Sequence, residues 1–265
     1  MLTYDALIEQ AKLRGMPQMK MRGILREYLQ VLILKEIYKI KSGKRLYFTG
    51  GTYLRLVHGL KRFSEDLDFN TNSITKKEFE RLIEKVKIEL ERTGINAQIK
   101  FDHWDNVLVS KMIFPDVEKG YNVISKYSKK EGIIIKAETN KPKWKIKSEY
   151  QVISGFGELF PCVCTDKSVL FADKIDAFNK KSRGRHVYDV MFMLSNKYPV
   201  NKKILTALNI KKDPFVVIAD RIKNVSKEEL KKQAESLRPF LFDEKEADLI
   251  ANARNIIPLL IEKYR

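Results

Sequence analysis

Residues 46–70, LYFTGGTYLRLVHGLKRFSEDLDFN, constrain this chain more tightly than any other stretch. Leu46-Tyr47-Phe48-Thr49 is β-prone and runs into Gly50-Gly51, where the backbone is free to take a positive φ or approach a ligand closely. Thr52 stands where a helix is expected to begin, and the unpaired N–H groups and dipole of a helix start favour an anion such as a triphosphate. Residues 53–58 supply that helix, Gly59 stops it, and Asp66-Leu67-Asp68-Phe69 returns as a strand. Strand side chains alternate, so Asp66 and Asp68 share one face while Leu67 and Phe69 point into the core. Two carboxylates this close repel unless a cation lies between them, and hard divalent ions such as Mg²⁺ take oxygen ligands of this kind together with phosphates.

Each part has an ordinary reading. A Gly-Gly pair usually marks a turn, and an Asp-x-Asp pair usually sits on the solvated face of an edge strand. The order strand, Gly-Gly-Thr, helix, Arg62-x-Ser64-x-Asp66-x-Asp68 is far more specific. At Gly50, Gly51, Thr52 and Leu54, and again at Arg62, Phe63, Ser64, Asp66 and Asp68, the chain resembles the AbiEii/AbiGii toxin family of nucleotidyltransferase-like proteins. That family belongs to the polymerase-β-like nucleotidyltransferase superfamily. The resemblance runs from a leading helix at residues 24–41 to about Leu194. It implies that Gly51 and Thr52 hold phosphate and that Asp66 and Asp68 hold Mg²⁺ or Mn²⁺. Gly50, Arg62, Ser64 and Arg183 are expected among the phosphate- and nucleotide-binding groups.

The chain has 265 residues, enough for one elaborated domain or a catalytic half and a helical half. No apolar run approaches the length that spans a bilayer, and the opening MLTYDALIEQAK has no signal-peptide core, so a cytoplasmic protein away from membranes is expected. Cys162 and Cys164, one residue apart, are badly placed for a mutual disulfide and make half a zinc site, which leaves buried thiols. Net charge is +17, from 51 Lys and Arg against 34 Asp and Glu. An excess of this size predicts salt-sensitive attraction to polyanions, although Lys76, Lys77, Lys129, Lys130, Lys202 and Lys203 read as ordinary solvated positions.

Helices are expected over 5–14 and 22–38, and a capping box of Thr75 and Glu78 opens another that ends at Gly94. Residues 95–101 and 107–114 alternate as a hairpin, and 132–139 as a further strand. There Ile134, Lys136 and Glu138 share one face, opposite a buried face of Ile133, Ile135 and Ala137. The superfamily places a third acid on a neighbouring strand, and Glu138 matches it, as metal ligand or as general base; a surface position is the alternative. From Asp166 the pattern is helical. Lys174 shares a stripe with Leu170 and Phe178, and the family's Ala-Asp/Glu-Lys-x-x-Ala is matched by Ala172, Asp173, Lys174 and Ala177. The resemblance gives Lys174 the nucleotide phosphates.

Asp189 is the one charge between Val187 and Leu194, so it needs a cationic or donor partner, with Lys174, Arg183 and Arg185 as candidates. Arg183, Tyr188 and Asp189 fit the family's Arg-x-Lys-Asp-x-Tyr-Asp. Arg185 and His186 replace its Lys-Asp, and His186 reads as a surface residue. The remainder is helical and basic, with one helix expected over 226–237 and another over 244–263. The expected fold is α+β: a small mixed sheet of nucleotidyltransferase type flanked by helices over 1–160, and an α-helical C-terminal region over 161–265 completing the cleft. The expected function is Mg-dependent transfer of NMP from an NTP to an acceptor, tRNA or other RNA favoured, by the toxin of a toxin–antitoxin or abortive-infection system with a cognate antitoxin. The alternatives are nucleotidylation of a protein or small molecule, and an inactive nucleotide-binding regulator.

Overall fold

The strand, helix and strand of residues 46–70 form the middle of a mixed sheet. The structure, a computed structural model, describes residues 1–123, 131–181 and 183–265. Lys129 and Lys130 lie outside the described residues. Two units are present, Met1–Gly59 with Phe63–Thr165, and Leu60–Arg62 with Asp166–Arg265. The division therefore falls after Thr165 rather than after residue 160, and three residues inside the opening stretch, Leu60–Arg62, belong with the helical unit.

In the first unit, helices α1 (Tyr4–Leu13) and α2 (Met21–Lys39) precede β1 (Tyr47–Thr49), α3 (Gly50–His58), β2 (Leu67–Asn70) and α4 (Lys76–Arg92). The hairpin β3 (Gln98–Phe101) and β4 (Val107–Phe114) follows, then α5 (Val117–Gly120), β5 (Ile133–Asn140), β6 (Ser148–Gly155) and β7 (Glu158–Thr165). The strand order is β3-β4-β5-β2-β1-β7-β6, with β2 parallel to β5 and β1 parallel to β7. This is the mixed sheet with flanking helices that the sequence predicts.

Alternation sets the register of the centre. In β5 every second residue from Ile133 is buried and those between are half-exposed. Leu67 and Phe69 are likewise buried between the half-exposed Asp66 and Asp68. Phe48 and Phe69, cross-strand partners, pack with ring centroids 5.6 Å apart under the helices. Thr75 and Glu78 close the expected capping box, which contributes about 1 kcal/mol to α4. Within α2, Glu27 is 1% exposed and takes Arg14 at 3.2 Å and Arg55 at 2.9 Å, an internal ion cluster that ties α1, α2 and α3 together.

The hairpin of β6 and β7 has a physical reason for escaping notice as a pair. Tyr150, Val152 and Leu159 are exposed, so the apolar residues of this edge do not mark its buried side. Cys162 and Cys164 are both buried and free, their sulfurs 3.4 Å apart, and the shared hydrogen bond and burial push the Cys164 thiol pKa up.

The second unit comprises α6 (Lys167–Lys180), α7 (Gly184–Ser195), α8 (Lys202–Ala207), α9 (Pro214–Lys223), α10 (Lys227–Leu237), α11 (Ala247–Ala251) and α12 (Ala253–Tyr264). Asp166 caps α6 by accepting from the Ser168 N–H at 2.9 Å. Gly184 opens α7 where a Cβ would fall 2.4 Å from the Gln233 carbonyl oxygen of α10. The single helix expected over 244–263 is broken at Asn252. Its side-chain amide turns back onto the Asp248 carbonyl at 2.9 Å, a local bond that competes with helix continuation.

Candidate active site

The first cluster is built on β1, β2, β5 and the start of α3. Gly50 leaves β1 with φ +80, and a Cβ there would fall 2.1 Å from the Asp68 Oδ2 atom. Conformation and space both require glycine at that position. Thr49 pairs with Asp68 across the antiparallel β1–β2 register, and Asp68 pairs with Glu138 across the parallel β2–β5 register. Thr49, Asp68 and Glu138 consequently form one row on one face of the sheet. Asp66 lies two residues before Asp68 on the same side.

Helix α3 begins at Gly50, two residues earlier than expected. This places Thr52 inside the first turn, fully buried, where its hydroxyl donates to the Asp66 carbonyl. The Thr52 hydroxyl braces the aspartate strand against the helix, while the phosphate expectation for Thr52 rests on the N–H groups of the helix start. Any anion at this helix start meets backbone N–H groups. Thr49 carries no signal in the sequence beyond its place at the end of a β-prone run. Its hydroxyl oxygen is buried and has no hydrogen-bond partner among the described residues. A lone buried hydroxyl beside a helix start lacks an acceptor.

Lys136 is the cation of this face next to Glu138 along β5. It is ion-paired to Glu138, two residues on along β5. Burial lowers its pKa, but the Glu138 hydrogen bond and the charges of Glu138, Asp66 and Asp68 outweigh that and raise it overall. The donor set is chemically right for a hard divalent ion, being carboxylate oxygens on adjacent strands. Among the described residues, however, no three His, Cys, Asp or Glu side chains are gathered for a metal. Glu138 is held by Lys136. Ser64 is half-exposed, and its carbonyl accepts from the Gln30 side chain at 3.0 Å.

The second cluster lies wholly in the helical unit. Asp189 of α7 is completely buried. Arg62 grips it bidentately, Nε to Oδ1 and Nη2 to Oδ2 both at 2.8 Å, and Lys174 of α6 donates to Oδ2 at 2.7 Å. Burial alone would push this carboxyl up, but the Arg62 guanidinium and the Lys174 ammonium hold it well below the usual carboxylate range. The arginine on Asp189 is thus Arg62 rather than Arg183 or Arg185. Arg62, expected on phosphate, is buried with its guanidinium on a carboxylate, because a charge in this apolar helix pair needs a planar partner. Arg183 is exposed at the start of α7.

His186 also departs from expectation. It is half-buried, and its Nδ1 is sealed from solvent with no hydrogen-bond partner among the described residues. Burial and then Lys174 lower its pKa to about 4, against an upward pull from Asp189, so the ring is neutral near pH 7. Tyr188 donates to Glu246, and burial together with that bond pushes its pKa up.

The profile of the family described as nucleotidyl transferase AbiEii toxin, type IV toxin–antitoxin system, matches residues 32–254. The chain belongs to the AbiEii family. It is a nucleotidyltransferase of the toxin class, and membership implies an NTP substrate and an antitoxin partner. Among solved structures, MenT4, a nucleotidyltransferase toxin from Mycobacterium tuberculosis, matches with a TM-score of 0.60 at 15% identity, covering 100% of this chain and 93% of that one. JHP933 from Helicobacter pylori matches with a TM-score of 0.58 at 19% identity, covering 91% of this chain and 93% of that one. At these identities the likeness shows a shared fold. No curated protein matches the chain. The AbiEii match extends past Leu194, where the sequence resemblance stops, and takes in α8 to α11 and the first residues of α12. No helix among the described residues is long and apolar enough to cross a membrane.

Proposed function

We propose that this AbiEii protein transfers a nucleoside monophosphate from an NTP to an RNA acceptor, tRNA favoured, in a divalent-metal-dependent reaction. The observation that carries the proposal is the row Thr49, Asp68, Glu138 beside the start of α3. It sets a buried hydroxyl without a hydrogen-bond partner among the described residues, and a helix start, next to carboxylates on adjoining strands.

In this reading the triphosphate takes the N–H groups at Gly50 and Gly51 and the Thr49 hydroxyl. Asp66 and Asp68 would hold Mg²⁺ or Mn²⁺, with Glu138 as a further oxygen donor once Lys136 yields it. The ion, when bound, offsets phosphate charge. The acceptor hydroxyl attacks the α-phosphorus, the bond to pyrophosphate breaks, and the hydroxyl proton passes to a base, for which Glu138 is the candidate. Lys174 is the cation for nucleotide phosphates, and Asp189, with Arg62, holds its ammonium in one place. The positive net charge of +17 favours a polyanionic acceptor.

The test is incubation with each α-labelled NTP, Mg²⁺, total RNA and total protein. Label in tRNA that is lost in Asp66→Ala is the expected result. Label in polypeptide would overturn the RNA acceptor, and label in RNA that persists in Asp66→Ala would overturn the role of the aspartates.

A further inference from the structure

The turn between β3 and β4 carries an exposed tryptophan that the nucleotidyltransferase chemistry does not use. Trp104 is 44% exposed, yet its backbone is fixed. Its N–H donates to the Val107 carbonyl at 3.1 Å and its carbonyl accepts from the Val107 N–H at 2.8 Å, closing a turn in which Asp105 has φ +47. The neighbouring His103 is locked as well. One ring nitrogen meets Glu80 at 2.9 Å, the other accepts from the Val109 N–H at 3.0 Å, and the ring stacks on Phe101. A large apolar ring is therefore held facing water by a rigid support, an arrangement that burial alone does not favour.

Around the ring lies a hollow of about 370 Å³, lined by Trp104, His103, Leu108, Lys76 and Lys141 among others. Its volume falls within the range of small-ligand sites. Neither Lys76 nor Lys141 forms an ion pair among the described residues. A third lysine, Lys136, sits with its Nζ 5.5 Å from the Trp104 ring centroid and is ion-paired to Glu138. The platform thus stands one side chain away from the carboxylate row.

We infer that Trp104, with Lys76 and Lys141, is a stacking platform for an unpaired nucleobase of the RNA acceptor, the lysines meeting its flanking phosphates. This rests on the RNA-acceptor reading above. Base on tryptophan with cations alongside is the pattern of sequence-tolerant single-strand binding. A protein partner would also seek a tryptophan, but protein interfaces are depleted in lysine, and this hollow has two. A duplex does not fit, because its bases are already stacked on one another.

The chain has two tryptophans, so Trp144→Phe leaves Trp104 as the only tryptophan, read selectively by excitation at the red edge of the indole band. The Trp144 indole N–H has no hydrogen-bond partner among the described residues, and phenylalanine forfeits no bond there. Titrating this full-length variant with a single-stranded oligoribonucleotide of about ten residues should quench Trp104 saturably. Trp104→Ala should weaken that oligonucleotide about ten- to a hundredfold while NTP affinity stays the same. Lys76→Ala with Lys141→Ala should lower the slope of log affinity against log salt by about 1.4. Unchanged affinity in Trp104→Ala overturns the platform, as does binding without quenching or equal binding by the annealed duplex. Quenching by a mononucleotide at equal concentration also overturns it. RNA that is labelled normally but bound independently of Trp104 removes the platform and leaves the RNA-acceptor reading intact. Binding at Trp104 with label only in polypeptide does the reverse.

Discussion

The two charged clusters differ in how completely they are satisfied. Asp189 is fully buried, and both its oxygens are taken by Arg62 and Lys174. The carboxylate row of the sheet is half-exposed and carries the unpaired Thr49 hydroxyl. The first is a satisfied ion cluster that fixes the Lys174 ammonium and whose removal harms the fold. The second is open to solvent, with Glu138 in an ion pair to a partly exposed lysine and a buried hydroxyl without a hydrogen-bond partner among the described residues.

Substitutions that separate stability from activity test this contrast. The largest expected effect is from Asp189→Ala, which strands a buried Arg62 and should cost about 3–5 kcal/mol in urea denaturation. Loss of less than about 1 kcal/mol would show that the cluster is not the buried pivot described. Next is Asp68→Asn, which relieves like-charge repulsion. It should leave the denaturation midpoint unchanged or raised while reducing label transfer at least about a hundredfold, roughly 2.7 kcal/mol. A midpoint that falls as far as in Asp189→Ala would break the comparison.

A smaller effect follows from acid. His186 is depressed in the fold from 6.5 to about 4, so between those values the unfolded chain binds more protons than the folded one. Its contribution is complete above pH 6.5 and declines as pH falls toward 4. Asp189 adds a further loss below the ordinary carboxylate range, since its folded pKa is lowered. Stability should fall as pH is lowered through the first window, and His186→Gln should flatten that part alone. The smallest effect is from Lys136→Met. Its partly exposed pair with Glu138 should be worth under about 1 kcal/mol, and removing the competing cation should tighten Mn²⁺ binding in a direct titration. Equal Mn²⁺ affinity would show that Lys136 does not compete for the carboxylates.

The alternation of the central strands was legible before the fold. It placed Asp68 and Glu138 on the half-exposed sides of β2 and β5, because one buried face fixes every second residue, while Asp66 lies just before β2. Helical spacing brought Lys174 and Asp189 to notice for the same reason, an ionisable group on an apolar stripe. Partnership was not legible. Arg62 meets Asp189 across 127 positions of sequence, and no local pattern encodes that pairing. The extent of α3 was also hidden, since whether a helix starts at Gly50 or Thr52 depends on what the Thr52 hydroxyl finds, and it finds the Asp66 carbonyl.

The sequence by itself determined the kinds of element, the faces their charges occupy and the nucleotidyltransferase character, because periodicity, glycine and carboxylate spacing are local properties. The tertiary structure decided which of those charges are satisfied. Lys136 lies on Glu138, Arg62 lies on Asp189, and Thr49 has nothing among the described residues. Hydrogen bonds and ion pairs act within a few ångströms, and only folding sets which distant residues come that close.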